Sequence, residues 1–402
     1  MPEVVECASP FCNENFVKKT HNQKYHQLGC KRDVENVSRR REDTSTEAFL
    51  RREAEVIQST RTEEPLNAQE LVGHLRVVNQ RLSRENAKLK LEKYEFHEAF
   101  RDGAYAAVKE MKIPPIPKPT SDKRTKVLPE TACMLLSDWQ LGKKTVSYGV
   151  EVCQERVGLY MDKTFRISDI QRHDHPVQDL HTWVLGDMVE GEAIFPSQAH
   201  HIEASLNSQV MKTAEILANT VIRRSLNYYD NIHFVGIAGN HGAIGGKSRH
   251  ELHPETNADR LVYTMLQLIF EGEKRITWDI PQGVNEGDFY TIDQIGDKKV
   301  LLLHGHQIRG AGSIPTIERK IINWCMALRN EIHFDYIAMG HFHNSARYTI
   351  NDTVLYINGT TESSNGWAVE VIGKKSRPNQ YLFYMHPEHG VTAEYPIYLD
   401  HT

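Results

Sequence analysis

The sequence predicts an α/β sandwich preceded by a smaller N-terminal region. Two observations predict this fold. From about residue 127 onward, apolar runs alternate with helical patterns, as expected when helices cover a sheet. The last part of the chain, 345–398, consists of strand patterns alone. The 402 residues suffice for one large domain and something smaller.

Periodicity places the elements of the large domain, which we predict over 129–402. The predicted strands are 131–137, 180–185, 232–238, 299–304 and 334–339, and the predicted helices are 151–170, 202–227, 257–272 and 314–331. The tail adds five strand-like stretches, ARYTI, TVLYING, AVEVIG, QYLFYM and AEYPIYL. Helices between the early strands and a strand-rich end favour two packed sheets flanked by helices.

Composition limits the classes of protein. The net charge of −5 gives no overall basic footprint for nucleic acid, so any such binding needs a local patch or metal ions. No apolar run approaches the roughly 20 residues that span a bilayer, and the first residues lack a signal-peptide pattern. We therefore expect a cytoplasmic protein without a membrane partner, or one of the host cytoplasm if a phage encodes it. Its six cysteines are expected to be thiols or metal ligands.

The first segment, 1–32, has the cysteine spacing of a small zinc site. Cys7 and Cys12 form one pair, and His26 and Cys30 form another, with His21 as an alternative ligand. Zinc takes about four such ligands at tetrahedral geometry. A segment this short cannot bury enough apolar surface to fold alone, so a metal would supply its stability. The stretch NQKYHQLGCKR also resembles the end of small zinc fingers.

The second region, 33–110, is highly charged and helical. Its apolar residues recur at steps of four, three, four, seven and seven, which fit a heptad seam. They are Leu71, Leu75, Val78, Leu82, Leu89 and Phe96. Because Glu85 and Glu92 interrupt the seam, two interpretations stay open: a short coiled coil that forms a homodimer through 68–100, or a single amphipathic helix packed on the main domain. The proline-rich stretch 111–128 predicts an extended linker.

Ligand-type side chains follow five of the predicted strands. They are Asp138; Asp187; Asn240 and His241; His304 and His306; and His341 and His343. In open α/β sheets the carboxyl ends of the strands gather at one edge, where ligands bind. Strand ends are poor places for such polar groups without a reason, and five in series are hard to explain as packing. The sequence therefore predicts a metal site at this edge.

These motifs, in the order D-x-Q, GD, GNH, H and GHxH, resemble the calcineurin-like metallophosphoesterase superfamily over about 131–345. The stretches SDWQLGKK and DYIAMGHFH are most similar to the SbcD-type DNA repair exonuclease subunits and their phage relatives. The resemblance implies the four-layer sandwich of that superfamily. Two positions depart from its pattern: Gln140 stands where the family has histidine, and Gly242 stands where an acidic residue often follows GNH.

The resemblance also implies a two-metal site. Asp138, Asp187 and His343 would hold the first metal, with Gln140 as a further ligand or as a residue that merely packs at the turn. Asp187 would bridge to a second metal, which Asn240, His304 and His341 also hold. His241 would protonate the leaving group. Such donors suit manganese, with iron or zinc as alternatives, and two cations can activate water and clamp an in-line displacement.

The function expected from this site is hydrolysis of a phosphodiester, by a DNA exonuclease or other nuclease subunit. A phosphatase or small-nucleotide phosphodiesterase is the alternative within the enzyme class, because fold alone does not choose a substrate. The other alternative is a non-enzymatic scaffold with a degenerate metal site, which Gln140 alone supports. DNA and an ATPase subunit are the expected partners of a nuclease of this type.

The N-terminal segment should bind one structural zinc through Cys7, Cys12, His26 and Cys30. The Cys30→Ser protein should therefore hold one zinc fewer than the wild type, because it lacks one of four ligands. Elemental analysis of the full-length protein measures this, with Cys325→Ser as the control outside the segment. Equal zinc contents in all three proteins would rule the site out.

Overall fold

The structure, a computed structural model, describes ten stretches of the chain. They are residues 4–6, 15–17, 68–110, 115–195, 198–244, 256–281, 289–308, 313–328, 333–363 and 377–400. The chain divides into two compact units, Met1–His97 and Glu98–Thr402. Within the described residues, no helix combines the length and apolar character that a bilayer span requires.

The first unit contains a short ribbon and the start of a long helix. Strands β1 (Val4–Glu6) and β2 (Asn15–Val17) pair antiparallel. Helix α1 (Ala68–Glu110) has 43 residues. Two residues of the predicted seam, Val78 and Leu82, are exposed on it. The homodimer through this helix stays a prediction, and the predicted zinc ligands Cys7, Cys12, His26 and Cys30 lie outside the described residues.

The second unit contains two sheets. The six-stranded sheet has the order β13-β12-β3-β4-β5-β6, and the five-stranded sheet has the order β10-β11-β9-β8-β7. The strands of the first are β3 (Thr131–Leu136), β4 (Asp179–Val184), β5 (Asn231–Gly236), β6 (Ile276–Asp279), β12 (Asn379–His386) and β13 (Gly390–Tyr398). Those of the second are β7 (Tyr290–Ile295), β8 (Lys298–Leu303), β9 (Tyr336–Met339), β10 (Ala346–Ile350) and β11 (Thr353–Ile357).

Parallel pairing aligns the ends of the strands that matter for the site. β3, β4, β5 and β6 run parallel to one another, and β8, β9 and β11 run parallel in the other sheet. The inner faces of the two sheets pack together through Leu135, Trp183, Val235, Leu302 and Phe383. This alternation of buried side chains follows from the period of two along a strand.

Helices cover both outer faces, which gives four layers. They are α2 (Val150–Gln171), α3 (Leu206–Ile216), α4 (Arg223–Leu226), α5 (Ala258–Ile269) and α6 (Ile314–Leu328). A π-helical segment, Leu217–Ile222, joins α3 to α4. Helices α2, α3 and α5 pack on the six-stranded sheet, and α6 packs on the five-stranded sheet.

The predicted α/β sandwich is therefore confirmed, with all five predicted strands and all four predicted helices of the large domain. The helix predicted over 202–227 is divided among α3, the π-helical segment and α4. Two strands of the large domain escaped prediction. β6 is only four residues long, and the sequence of β7, YTIDQI, interrupts its apolar run with Asp293 and Gln294. The strand-like stretch AVEVIG lies outside the described residues.

The segment after α1 is tied to the large domain. Residues 115–128 contain neither helix nor strand. The Arg124 guanidinium donates to the backbone oxygen of Arg172 at 2.6 Å, and the Gln178 amide donates to that of Asp122 at 2.6 Å. These hydrogen bonds hold the predicted linker against the end of α2 rather than leaving it free.

Candidate metal centre

All eight residues predicted for the metal site lie at one edge of the sandwich. They are Asp138, Gln140, Asp187, Asn240, His241, His304, His341 and His343, at the carboxyl ends of β3, β4, β5, β8 and β9. The parallel pairing brings these ends together although the residues span more than 200 positions. His306 lies beside them, with its ring centroid 5.5 Å from that of His304.

The backbone at these strand ends is in the left-handed region. Six non-glycine residues of the described chain have positive φ, and five belong to the predicted ligand set. Their φ angles are 52° at Asp138, 44° at Gln140, 54° at Asp187, 71° at His341 and 57° at His343. This conformation costs roughly 1–2 kcal/mol for an ordinary L-residue. Strain of this kind clusters at functional sites, where the surrounding structure must enforce it.

One group of donors surrounds the Asp138 carboxylate. Its Oδ1 lies 3.3 Å from Nε2 of His343, and both of its oxygens accept from the backbone N–H of His341 at 3.0 Å. The Gln140 Nε2 lies 3.0 Å from the His343 Nε2. The Gln140 Oε1 accepts from the Lys143 ammonium at 3.0 Å. The amide nitrogen of Gln140 therefore faces His343, and its oxygen faces the lysine.

A second group surrounds the Asp187 carboxylate. Its Oδ2 lies 3.0 Å from Nε2 of His304, and the Asn240 Oδ1 lies 3.2 Å from the same nitrogen. Asp187, His304 and His341 each offer one ligand atom within 4.8 Å of the others. The His304 Nδ1 lies 2.7 Å from the Leu185 carbonyl oxygen, which fixes its proton there and leaves Nε2 facing the site.

These donors fit divalent cations. The Asp187 Oδ2 is fully buried and accepts no well-oriented hydrogen bond, although such an atom normally has a partner. Carboxylate, amide and imidazole groups are the ligands that manganese, iron and zinc take. The two groups have different members, and the His241 backbone N–H donates to the Asp187 Oδ1 at 2.7 Å.

The electrostatics of the site favour positive charge. Burial alone would raise the pKa of Asp187, but His304 and His241 hold it far below its usual value. Burial alone would lower the pKa of His343, but the carboxylates of Asp138 and Glu362 raise it to about 10. His341, by contrast, has its pKa lowered to about 3 by burial and by the charge of His304. A bound cation would take the place of protons that these carboxylates otherwise attract.

His241 stands at the rim of the second group. Its Nδ1 lies 2.9 Å from the Glu190 backbone oxygen and 3.4 Å from the Glu190 Oε2. Its Nε2 is thereby directed inward, 4.0 Å from the Asp187 Oδ2 and 3.4 Å from the Gln140 Nε2. Glu190 is held in turn by the Gln198 amide at 3.0 Å. Glu190 therefore orients His241, although residue 242 is a glycine and offers no acidic side chain.

Three carboxylates at the site escaped the sequence analysis. Glu190 orients His241, Glu362 lies 3.2 Å from the His343 Nδ1, and Asp259 accepts from strand-end backbone. Glu362 also forms an ion pair with Lys143. Glu190 alone had a signal, because it follows Asp187 by three residues in GDMVEG. Glu362 and Asp259 reach the site from a loop after β11 and from the start of α5.

Asp259 braces the two strand ends at the centre of the site. Its Oδ2 accepts from the backbone N–H groups of Asp187 at 3.0 Å and Gly239 at 2.9 Å, and its Oδ1 accepts from that of Met188 at 3.1 Å. Burial and the charge of Asp187 raise the pKa of Asp259 to about 6. A Cβ on Gly239 would lie 2.1 Å from the Asp187 Oδ1, so only glycine allows this close approach.

Comparisons with known proteins find distant structural similarity only. No protein-family model matches the chain, and no curated protein matches it in sequence. Among solved structures, an archaeal phosphodiesterase is 11% identical over 66% of this chain and 99% of its own, with a TM-score of 0.29. Vps29 from Entamoeba histolytica, complexed with zinc, is 12% identical over 67% of this chain and 99% of its own, with a TM-score of 0.30. A predicted phosphoesterase from Streptococcus pneumoniae is 11% identical over 67% and 100%, with a TM-score of 0.27.

Gln140 should make its half of the site weak for late transition metals. An imidazole favours such metals, while an amide oxygen suits manganese or magnesium. A neutral amide is nevertheless the poorer donor of the two for any of these cations. We expect Gln140→His to lower the manganese concentration that half-saturates the protein and Gln140→Ala to raise it. A manganese titration of wild type and both variants measures the effect. Three coincident curves would show that Gln140 only packs at the turn.

Asp259→Asn should destabilise the protein without changing its volume. Both oxygens of the carboxylate accept hydrogen bonds from backbone N–H groups. An amide has only one oxygen, and its NH2 group would face at least one of these donors and could not accept from it. Leaving such buried donors unpaired costs about 1–3 kcal/mol in the free energy of unfolding. Urea unfolding measures the loss, with Asp174→Asn at an exposed position as the matched control. An unchanged midpoint for Asp259→Asn would contradict the bracing role.

Proposed function

We propose that this protein is a metal-dependent phosphodiester hydrolase that acts on DNA. The observation that supports hydrolysis most strongly is the strained constellation itself. Five ligand-type residues are held at positive φ, at strand ends that meet at one edge of the sandwich. Backbone strain of this kind clusters at functional sites, and here it accompanies side chains that meet at one edge of the sandwich.

The two donor groups define the places for two cations. Asp138, Gln140 and His343 would hold one, Asn240, His304 and His341 would hold the other, and Asp187 would lie between them. Two such cations supply the positive charge that activates water and neutralises a phosphate in an in-line displacement. The chain's own residues position these donors: Glu362 fixes the ring of His343, and the Leu185 carbonyl fixes that of His304.

His241 is the candidate for proton transfer. Because the Glu190 backbone oxygen faces Nδ1, the ring presents Nε2 toward the space between the two donor groups. A proton held at this nitrogen can pass to the oxygen that leaves the phosphorus, as a general acid provides it. Lys143 lies on the other side of Gln140, and its ammonium adds positive charge near the same space.

An exposed aromatic ring favours a nucleotide substrate over a simple phosphate ester. Phe195 is 44% exposed, and its ring centroid lies 5.5 Å from that of His241. Bases stack on such rings without regard to sequence, and each stacked base contributes roughly 1–3 kcal/mol. A base adjoining the scissile phosphate would lie against this ring, beside the proton donor.

We include three further features in this proposal: exonuclease action, an ATPase partner subunit and a homodimer formed through residues 68–100.

The substrate class is tested with three substrates in the presence of manganese. We expect cleavage of labelled single- or double-stranded DNA and of a bis-aryl phosphodiester, with little turnover of an aryl phosphomonoester. Phe195→Leu should raise the KM for DNA more than that for the small diester. Turnover of the monoester alone would instead indicate a phosphatase, and turnover of no substrate would indicate the scaffold.

Loss of Asp187 should be the most damaging single change, because this carboxylate is the proposed bridge between the two cations. Asp187→Asn should abolish manganese-dependent cleavage, and retention of more than about a tenth of the activity would argue against a bridging role.

His241→Asn should reduce turnover by roughly 10²–10⁴-fold, as for a positioned general acid. Its metal content should not change, whereas that of Asp187→Asn should fall. A parallel loss of metal in His241→Asn would make His241 a ligand.

A further inference from the structure

We propose a second metal site, formed by His181, His233 and Asp293 at the other end of the sandwich, with zinc as the ion that fits it. His181 lies within β4, whereas Asp187 follows the carboxyl end of that strand. At about 3.3 Å per residue, His181 lies about 10 Å along the strand from Val184, where β4 ends, and Asp187 lies beyond that end. The proposed site therefore shares no residue and no ligand atom with the candidate metal centre.

Strand register brings the three side chains together. His181 on β4 is paired directly with His233 on β5. Each lies two residues before a residue of the inner face, Trp183 or Val235, and therefore points between the two sheets as well. Asp293 comes from β7 of the opposite sheet, two residues before the buried Ile295. One ion at this point would join the two sheets directly.

The distances suit a single small cation. The His181 Nδ1 lies 2.6 Å from the Asp293 Oδ2, and the His233 Nε2 lies 3.6 Å from the Asp293 Oδ1. One ligand atom from each residue lies within 4.8 Å of the others. Zinc bonds of about 2.0–2.1 Å in a tetrahedron separate the ligand atoms by about 3.3 Å. The ligands therefore need shifts of under about 1 Å to close on an ion.

The surroundings orient these groups as metal ligands are usually oriented. The His233 Nδ1 lies 2.8 Å from the Thr277 hydroxyl, so Nε2 is the nitrogen that faces Asp293, at a distance too long for a hydrogen bond. The Asp293 Oδ2 also accepts from the Trp183 indole at 2.5 Å. Hydrogen bonds from outside the ligand set fix the tautomer and the orientation of metal ligands in this way.

Charge and access also suit zinc. The rings of His181 and His233 have centroids 4.9 Å apart, so two protonated imidazoles would repel each other beside one carboxylate. Burial lowers the pKa of His233 despite the nearby charge of Asp293, which leaves it neutral and able to ligate. The Asp293 side chain is only 3% exposed, but His233 is 26% exposed and leaves an entry path. Three ligands leave one position for water.

Zinc content at a fixed free zinc concentration tests the site in the full-length protein. His233→Gln and Asp293→Asn should each hold one zinc fewer than the wild type. The matched control His173→Gln removes an exposed imidazole at the end of α2 and should hold as much zinc as the wild type. Equal zinc content in wild type and His233→Gln would overturn the proposal, and this result is independent of any hydrolytic activity.

Thermal unfolding gives a second measurement. Because zinc that binds the folded chain raises Tm by mass action, its addition should raise the Tm of the wild type more than that of His233→Gln. Circular dichroism without zinc confirms that the variants fold. If Asp293→Asn does not fold, His233→Gln tests the site by itself. The His233 side chain is partly exposed, so its replacement should disturb the fold less. An equal rise in Tm for wild type and His233→Gln would contradict a zinc ion that joins the two sheets.

Discussion

The carboxylate of Asp259 is the constraint on which the rest of the candidate metal centre depends. It accepts hydrogen bonds from the backbone N–H groups of Asp187, Met188 and Gly239, and thereby ties the end of β4 to the end of β5. Asp187 can then hold its left-handed backbone, with φ at 54°, because its own N–H has a charged partner. This carboxylate comes from the first turn of α5, so the helix layer on the outside of the sheet fixes the geometry of the sheet edge.

The same logic extends around the site. Each strained strand end is held by a group from elsewhere in the fold: the Asp138 carboxylate receives the backbone N–H of His341, and Glu362 holds the ring of His343. Free energy stored as backbone strain is thus offset by buried, charge-assisted hydrogen bonds. The outcome is a set of donors that converge before any cation binds, so that little of the binding free energy is needed to order them.

The two-sheet architecture has a polar site at each end for one physical reason. The apolar packing of the inner faces, with Trp183 and Val235 among its members, fills the middle of the sandwich. Away from this middle, polar side chains lie between or beside the sheets and are buried or only partly exposed. One end carries the strained donors around Asp187. The other carries His181, His233 and Asp293, where register alone aligns the two histidines.

The sequence by itself determined the α/β sandwich, its main strands and the eight residues of the candidate centre. Apolar runs that stop at Asp138, Asp187 or His304 are local signals, and parallel strands must bring their ends to one edge. Only the tertiary structure decided what supports these residues. Asp259 and Glu362 reach the site from the start of a helix and from a loop, where no local pattern marks them. Glu190 orients His241, which the glycine at position 242 cannot do. The cluster of His181, His233 and Asp293 was equally hidden, because its residues are separated in sequence and meet only through strand register and the stacking of two sheets.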